Sequence, residues 1–177
     1  MTEAVRRIMG GEVPVDLTVR FLAALHRKGE TVAEVAGAAE AMRECMTCIQ
    51  ATQRDELLDV VGTGGDGSGT FNISTASAIV TAACGVPVAK HGNRAVTSRS
   101  GASDVLARLG VNVEAGLPAV QQCLAEVGIC FCFAPLYHQA MKHVAPARKQ
   151  LPHPTVFNLL GPLANPAAAP YQLLGVG

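Results

Sequence analysis

The sequence predicts an α/β fold: a small N-terminal all-helical unit, then a parallel-type sheet flanked by helices. Three observations carry that expectation. Residues 1–52 hold much of the chain's charge and space their apolar residues at helical intervals. From Leu57 onward, short apolar runs alternate with helical patterns, the signature of a parallel sheet. The first two runs end in loops rich in glycine and polar residues, at Gly62 and at Lys90. The expected division is therefore a helical domain at 1–52 and an α/β domain at 53–177.

The elements follow in order. Pro14 to Arg27 places Val15, Val19, Leu22 and Leu25 at near-helical spacing, and Gly29 is a natural stop. Thr31 and Glu34 form an S/T-x-x-E capping box for a second helix reaching about Ile49. Gln53 to Glu56 reads as a connector, and Leu57 to Val61 as a strand ending at Gly62. A small-residue helix is expected over Ile73–Cys84, a strand over Val86–Ala89 and a helix over Ala102–Leu109. Val111–Val113 reads as strand, Ala119–Val127 as helix, and Ile129–Phe133 as a strand stopped by Ala134-Pro135. No internal repeat and no low-complexity tail is present. No residue after Lys149 carries a formal charge, and the strand-like ending Tyr171–Gly177 reads as a sequence cut inside a domain.

Composition narrows the function classes. The chain has 177 residues, 14 Lys+Arg against 14 Asp+Glu, and 49% hydrophobic residues. That balance argues against a nucleic-acid groove and against a disordered polyelectrolyte. No signal-peptide pattern and no apolar run of about 18 residues occurs, so no membrane partner and a cytoplasmic location are expected. The 6 cysteines read as reduced thiols. Cys45-x-x-Cys48 has metal-like spacing, but a structural zinc needs four ligands.

Three loops carry the chemistry. Gly62-Thr63-Gly64-Gly65-Asp66-Gly67 follows a predicted strand, so its backbone amides can approach an anion. A dinucleotide reading needs an acid about 20 residues further on, and no acid lies between Asp66 and Asp104. A Walker A reading fails for want of Gly-Lys-Ser/Thr. Asn72, Ser74 and Thr75 supply cap oxygens where the next helix begins, and a helix N-terminus offers amides to phosphate. Lys90-His91-Gly92-Asn93-Arg94 stands at the end of the second strand, the edge where open α/β sheets bind ligands. Each loop alone has a bland reading as a turn, a cap or an exposed basic cluster. Together they suit a phosphate or pyrophosphate.

These residues also carry a resemblance. Asp59-Val60-Val61-Gly62-Thr63-Gly64-Gly65-Asp66-Gly67, Thr70-Phe71-Asn72-Ile73-Ser74-Thr75 and Lys90-His91-Gly92-Asn93-Arg94 resemble the anthranilate phosphoribosyltransferase family. So do Tyr137-His138, Ala140-Met141-Lys142 and the run Phe157–Pro166, in the same order along nearly the whole chain. The architecture is shared with pyrimidine nucleoside phosphorylases, which share fewer of these motifs. The resemblance implies transfer of a phosphoribosyl group from phosphoribosyl pyrophosphate to anthranilate, in tryptophan biosynthesis. It implies that Gly62, Gly65, Asp66, Thr70, Asn72, Ile73, Ser74, Thr75 and Lys90, His91, Gly92, Asn93, Arg94, Ala95, Val96, Thr97 and Ser98 hold phosphoribosyl pyrophosphate, with Ala102 at the border. Ser74 would ligate Mg²⁺. Gly62, Asn93 and Arg148 would contact anthranilate, Arg148 by pairing with its carboxylate.

Lys90 and Arg94 are the candidates for supporting the leaving pyrophosphate, while His91 and His138 are not assigned as general bases. A homodimer through the N-terminal helices is expected. Three departures stand out: Leu151-Pro152-His153-Pro154 where the family commonly has Gly and Arg, Ala102-Ser103 in inverted order, and no counterpart of the family's downstream Asp-Glu pair. The family's first helix is expected to be missing. The alternatives are a phosphate-binding fragment without turnover and a related nucleoside phosphorylase.

Overall fold

A computed structural model of the chain describes residues 1–51, 54–63, 71–94 and 101–176. In chain order these form α1 (Thr2–Met9), α2 (Val15–Lys28), α3 (Val32–Glu44), β1 (Leu58–Gly62), α4 (Ile73–Ala83), β2 (Val88–Gly92), α5 (Ala102–Arg108), α6 (Leu117–Val127), β3 (Ile129–Phe133), α7 (Ala134–Tyr137), α8 (Met141–Arg148), α9 (Phe157–Leu160) and β4 (Tyr171–Gly175). Two compact units result: Met1–Thr47 with His138–Ala164, and Cys48–Tyr137 with Asn165–Gly177. Residues 138–164 thus pack with the N-terminal helices, although they lie within the stretch read from sequence as the α/β domain.

The helical unit is organised by its apolar stripes. Val5, Ile8 and Met9 of α1, Leu22 and Leu25 of α2, and Ala38 and Met42 of α3 share one buried cluster with Val144 of α8 and Leu160 of α9. Burying a side chain such as Leu22 stabilises the unit by about 1.5–3 kcal/mol. The first helix expected from the sequence begins at Pro14; α1 precedes it, with Val5, Ile8 and Met9 recurring at helical spacing and lying buried. The capping box at Thr31 forms as read. Glu34 N donates to the Thr31 hydroxyl at 3.3 Å, and Glu34 accepts from Thr31 N at 3.0 Å.

The second unit is a four-stranded sheet in the order β3-β2-β1-β4. All three pairings are parallel, with Leu58 opposite Val88, Val88 opposite Ile129 and Asp59 opposite Gln172. β1, β2 and β3 bury most of their residues, whereas every residue of β4 is exposed. No helix among the described residues is long and apolar enough to cross a membrane.

Three expectations about elements need correction. The helix begun at Thr31 stops at Glu44, because Ile49 is drawn into the α/β unit, where its N–H donates to Pro166 O at 2.9 Å and its side chain is buried. Val111–Val113 is not a strand. Val111 N instead returns to Leu106 O at 3.0 Å after Gly110 at φ +85°, closing α5 with the left-handed cap that glycine favours. β2 begins at Val88 because Pro87 has no N–H to give a ladder.

Candidate functional site

The C-terminal ends of β1, β2 and β3 lie side by side, at the edge where open parallel sheets bind ligands. Gly62 closes β1 and is exposed there. The next residue, Thr63, donates its N–H to Gly175 O at 3.0 Å. Gly65, Asp66 and Thr70, and likewise Ala95, Val96, Thr97 and Ser98, lie outside the described residues.

Asn72 is the N-cap of α4. Its Oδ1 accepts from Thr75 N at 3.0 Å and from the Ser74 hydroxyl at 3.1 Å. Capping thus rests on Asn72, while Ile73, Ser74 and Thr75 form the first turn. The Thr75 hydroxyl is buried, with no hydrogen-bond partner among the described residues. A buried hydroxyl of this kind costs free energy until something accepts from it or donates to it.

Lys90 enters from β2 and is only 3% exposed. Its ammonium donates to Val60 O at 2.6 Å and to Ser74 Oγ at 3.2 Å. Burial pushes its pKa down to about 8, partly opposed by the charge of Asp59. The cation therefore lies beneath the first turn of α4 and reaches the site through a hydroxyl. A protonated Lys90 and the positive end of α4 add in the same direction, which favours an anion.

Asp59, Asn165 and Gln172 support this arrangement, and the sequence reading gave none of them a role. Asp59 is 1% exposed and accepts from His91 N at 3.1 Å and Gln172 Nε2 at 3.4 Å. Burial raises its pKa, and the hydrogen bonds from His91, Asn165 and Gln172 counter that rise. Asn165 Nδ2 donates to Ala89 O at 2.8 Å, fastening the segment after β3 to the middle of β2. The available signal was an acidic residue inside an apolar strand, a position that is polar only when partnered.

At the end of β2, Gly92 has no room for a side chain: a Cβ there would stand 2.8 Å from Phe131 Cε2 and 3.1 Å from Ala102 Cβ. Ala102, which opens α5, therefore borders the same strand end. Asn93 and Arg94 follow and are exposed. Arg94 Nη2 pairs with Glu114 Oε1 at 2.9 Å, and its guanidinium stands 5.6 Å from the Phe133 ring centre.

Arg148 belongs to the helical unit, as the last residue of α8. Its Nη2 donates to Asn158 Oδ1 at 3.1 Å, and burial lowers its pKa. Asn158 also accepts from Thr155 N at 2.9 Å, so the guanidinium is held by a side chain that is itself anchored. The structure thus brings together Gly62, Asn72, Ser74, Lys90, Gly92 and Ala102 within the α/β unit; Arg148 has its own setting.

Comparison with known proteins gives a consistent picture. Residues 54–177 match the family described as "Glycosyl transferase family, a/b domain", and residues 1–46 match "Glycosyl transferase family, helical bundle domain". Anthranilate phosphoribosyltransferase of Rhodospirillum rubrum is 58% identical over 175 residues, which is 99% of this chain and 50% of that protein. The crystal structure of anthranilate phosphoribosyltransferase from Thermus thermophilus superposes with a TM-score of 0.93 at 50% identity, covering 99% of this chain and 53% of the other. The enzyme from Saccharomyces cerevisiae in complex with PRPP and Mg gives 0.82 at 37% identity, covering 92% and 46%. The chain spans about half the length of the curated relatives it matches.

Proposed function

Because the chain belongs to the glycosyl transferase family, with both the helical-bundle and a/b parts matched, we propose that the protein transfers the phosphoribosyl group of phosphoribosyl pyrophosphate to anthranilate. The products are N-(5-phosphoribosyl)anthranilate and pyrophosphate. The observation that carries this reading is the contact of the buried Lys90 with the half-buried Ser74 under the N-terminus of α4, at the C-terminal end of β1 and β2. It is a preformed cationic seat for phosphate. The supporting comparisons are relatives of that name at 50–58% identity.

The amine of anthranilate is uncharged, so it attacks without prior deprotonation and, once the C–N bond has formed, gives up one proton to solvent or to the departing pyrophosphate. Pyrophosphate departs with the bonding electrons, and the sugar carbon becomes positive. What the protein must supply is stabilisation of the leaving anion. In this reading Ser74, Asn93 and Arg94 touch the phosphates, and Lys90 acts through Ser74. Arg148 takes the anthranilate carboxylate. Gly65, Asp66, Thr70, Ala95, Val96, Thr97 and Ser98 complete the phosphoribosyl site as the family resemblance implies. The chain's modules are taken as 1–52 and 53–177, its location as the cytoplasm, and its assembly as a homodimer through the N-terminal helices. Exposed Val15, Leu17 and Val32 on those helices support the last point.

Mg²⁺ is part of the proposal as a companion of the substrate. Among the described residues no three His, Cys, Asp or Glu side chains cluster to hold a metal. The proposed ligand Ser74 already accepts from the Lys90 ammonium. Ser74 thus offers a divalent cation one neutral oxygen, too few ligands to hold it without the substrate. Mg²⁺ keeps its waters and binds largely through substrate phosphates, so Ser74 would be one oxygen ligand to an ion that arrives with pyrophosphate.

The test is loss of anthranilate fluorescence on adding phosphoribosyl pyrophosphate and Mg²⁺, beside calorimetric binding of phosphoribosyl pyrophosphate. Turnover supports the whole reading. Binding without turnover supports a phosphate-binding fragment, and turnover of thymidine with phosphate would replace the reading by a nucleoside phosphorylase. Arg148→Ala is expected to raise the anthranilate KM by the loss of one charge-assisted bond, about 1.5–3 kcal/mol. An unchanged KM would remove Arg148 from the site.

A further inference from the structure

Among the described residues, Arg94 is an exposed cation at the candidate anion site, and it already has an anion. Glu114 Oε1 stands 2.9 Å from its Nη2, with the two side chains 58% and 64% exposed respectively. The pair is built from both sides. Glu114 sits in the connection between α5 and α6, where its N–H donates to Asn112 Oδ1 at 3.2 Å and the next N–H, of Ala115, donates to Asn112 O at 3.3 Å. That turn fixes where the carboxylate is presented. On the other side, Arg94 N donates to Asn93 Oδ1 at 2.8 Å, and the guanidinium lies 5.6 Å from the centre of the Phe133 ring at the end of β3. An Arg over an aromatic face is oriented and less hydrated than a free one.

We propose that Glu114 is a resident competitor at the anion site: it occupies Arg94 in the free protein, and a phosphate group engages that guanidinium only by displacing it. This rests on the phosphoribosyl pyrophosphate reading. The physical argument is an exchange of partners. A singly charged ligand that displaces Glu114 trades one exposed ion pair for another and gains little. A pyrophosphate group offers several oxygens and more than one charge to the same guanidinium, whose five donors can bind two oxygens at once. Glu114 thereby weakens binding of every anion that engages Arg94, by the cost of breaking one exposed pair.

The experiment compares Glu114→Gln with the natural chain, by calorimetry with inorganic pyrophosphate and with inorganic phosphate, at low salt and at high salt. Gln keeps the size of the side chain and loses its charge. The expected result is tighter pyrophosphate binding, by about fivefold at most, the ceiling set by an exposed pair. Phosphate should gain no more than pyrophosphate, and both gains should shrink at high salt. The same substitution in an Arg94→Gln background separates pairing from bulk charge: there the gain should vanish. A gain that persists in that background overturns the proposal, as does Glu114→Gln binding pyrophosphate no tighter while the natural chain binds it. If neither chain binds pyrophosphate, the phosphoribosyl pyrophosphate reading falls and takes this proposal with it.

Discussion

Both units of this chain bury polar side chains, Thr18, His138 and Thr155 in the helical one. Among the described residues, however, a buried carboxylate and a buried ammonium, Asp59 and Lys90, belong to the α/β one. The helical unit buries a continuous apolar cluster from Val5 and Ile8 through Leu22 and Met42 to Phe157 and Leu160. The α/β unit splits its apolar residues between two smaller clusters. Beside them it buries Asp59, Thr75, Lys90, His91, Ser103 and Asn165. Apolar burial is forgiving of detail and stabilises in proportion to area. A buried ammonium or carboxylate stabilises only when its partners are in place. Much of the polar burial, including Asp59, Thr75, Lys90 and His91, lies in or against the strands that end at the candidate site. The lesson is that one unit spends its interior on stability and the other on a charged seat.

The largest expected effect is in the helical unit. Leu22→Ala removes a side chain that is 1% exposed and leaves a cavity among α1, α2 and α3 neighbours. Loss of about 2–5 kcal/mol is expected, measured by urea denaturation. The contrast with the α/β unit sharpens if calorimetry of the folded variant shows unchanged pyrophosphate affinity. A large affinity loss at a temperature where the variant is folded breaks it.

Lys90→Met reverses the pattern. It deletes the bonds to Val60 O and Ser74 Oγ while keeping an unbranched side chain of similar length. Removing the ammonium also removes the burial cost that pushes its pKa down to about 8. Pyrophosphate binding is expected to weaken by about 1.5–3 kcal/mol, the scale of one charge-assisted hydrogen bond. Stability at neutral pH should change far less than in Leu22→Ala.

The pH dependence follows from the same shift. The folded pKa lies near 8 and the unfolded value at 10.5, so between them the unfolded chain binds more protons. Stability therefore carries a penalty below about 8 that is relieved as pH rises toward 10.5. Anion affinity runs the other way and falls as Lys90 loses its proton. Cys123, Cys132 and Tyr137 also have raised pKa values, which lower stability as pH rises over that range in both chains. The effect of Lys90 is therefore read as the difference between the natural chain and Lys90→Met. That difference should have opposite slopes in denaturation curves and in pyrophosphate titrations.

What the sequence made legible follows the same divide. Periodicity located α2, α4, α6 and β3 because their spacing or apolar runs match the period of the element they form. The Asn72 cap was legible because capping is local, reaching three residues to Thr75 N. The Lys90–Ser74 contact was not, because it joins residues 16 apart across a strand and a helix that meet only in the sheet. Asp59 was hidden for the same reason, since its partners His91 and Gln172 come from two other strands. The α3 boundary was misread because Ile49 obeys a distant partner, Pro166 O, instead of the helical period.

The smallest effect tests one of the exposed ion pairs with which the helical unit uses charge, beside Arg6–Glu44 and Arg7–Glu12. Thr31 caps α3, and Glu34 accepts from Thr31 N, from its hydroxyl and from Lys28 Nζ at 2.7 Å. Lys28 is the largest cause, with Thr31 after it, of a Glu34 pKa lowered from 4.5 to about 2. A carboxylate with a depressed folded pKa contributes stability that is present above about 4.5 and lost as pH falls through about 2. Unlike Lys90, this pair reaches solvent, Lys28 being 52% and Glu34 26% exposed, so salt screens it and the pH effect should shrink at high ionic strength. Thr31→Ala should cost about 1 kcal/mol through the lost cap. Amide exchange in the first turn of α3 is the sensitive readout, because a local cap protects its own turn before it moves the global midpoint. Glu34→Gln should abolish the acid-side change in that exchange while leaving the Thr31 hydroxyl to accept from residue 34 N. An acid-side change that survives in Glu34→Gln would assign the sensitivity to another carboxylate and erase the contrast between the exposed pair here and the buried cation at Lys90.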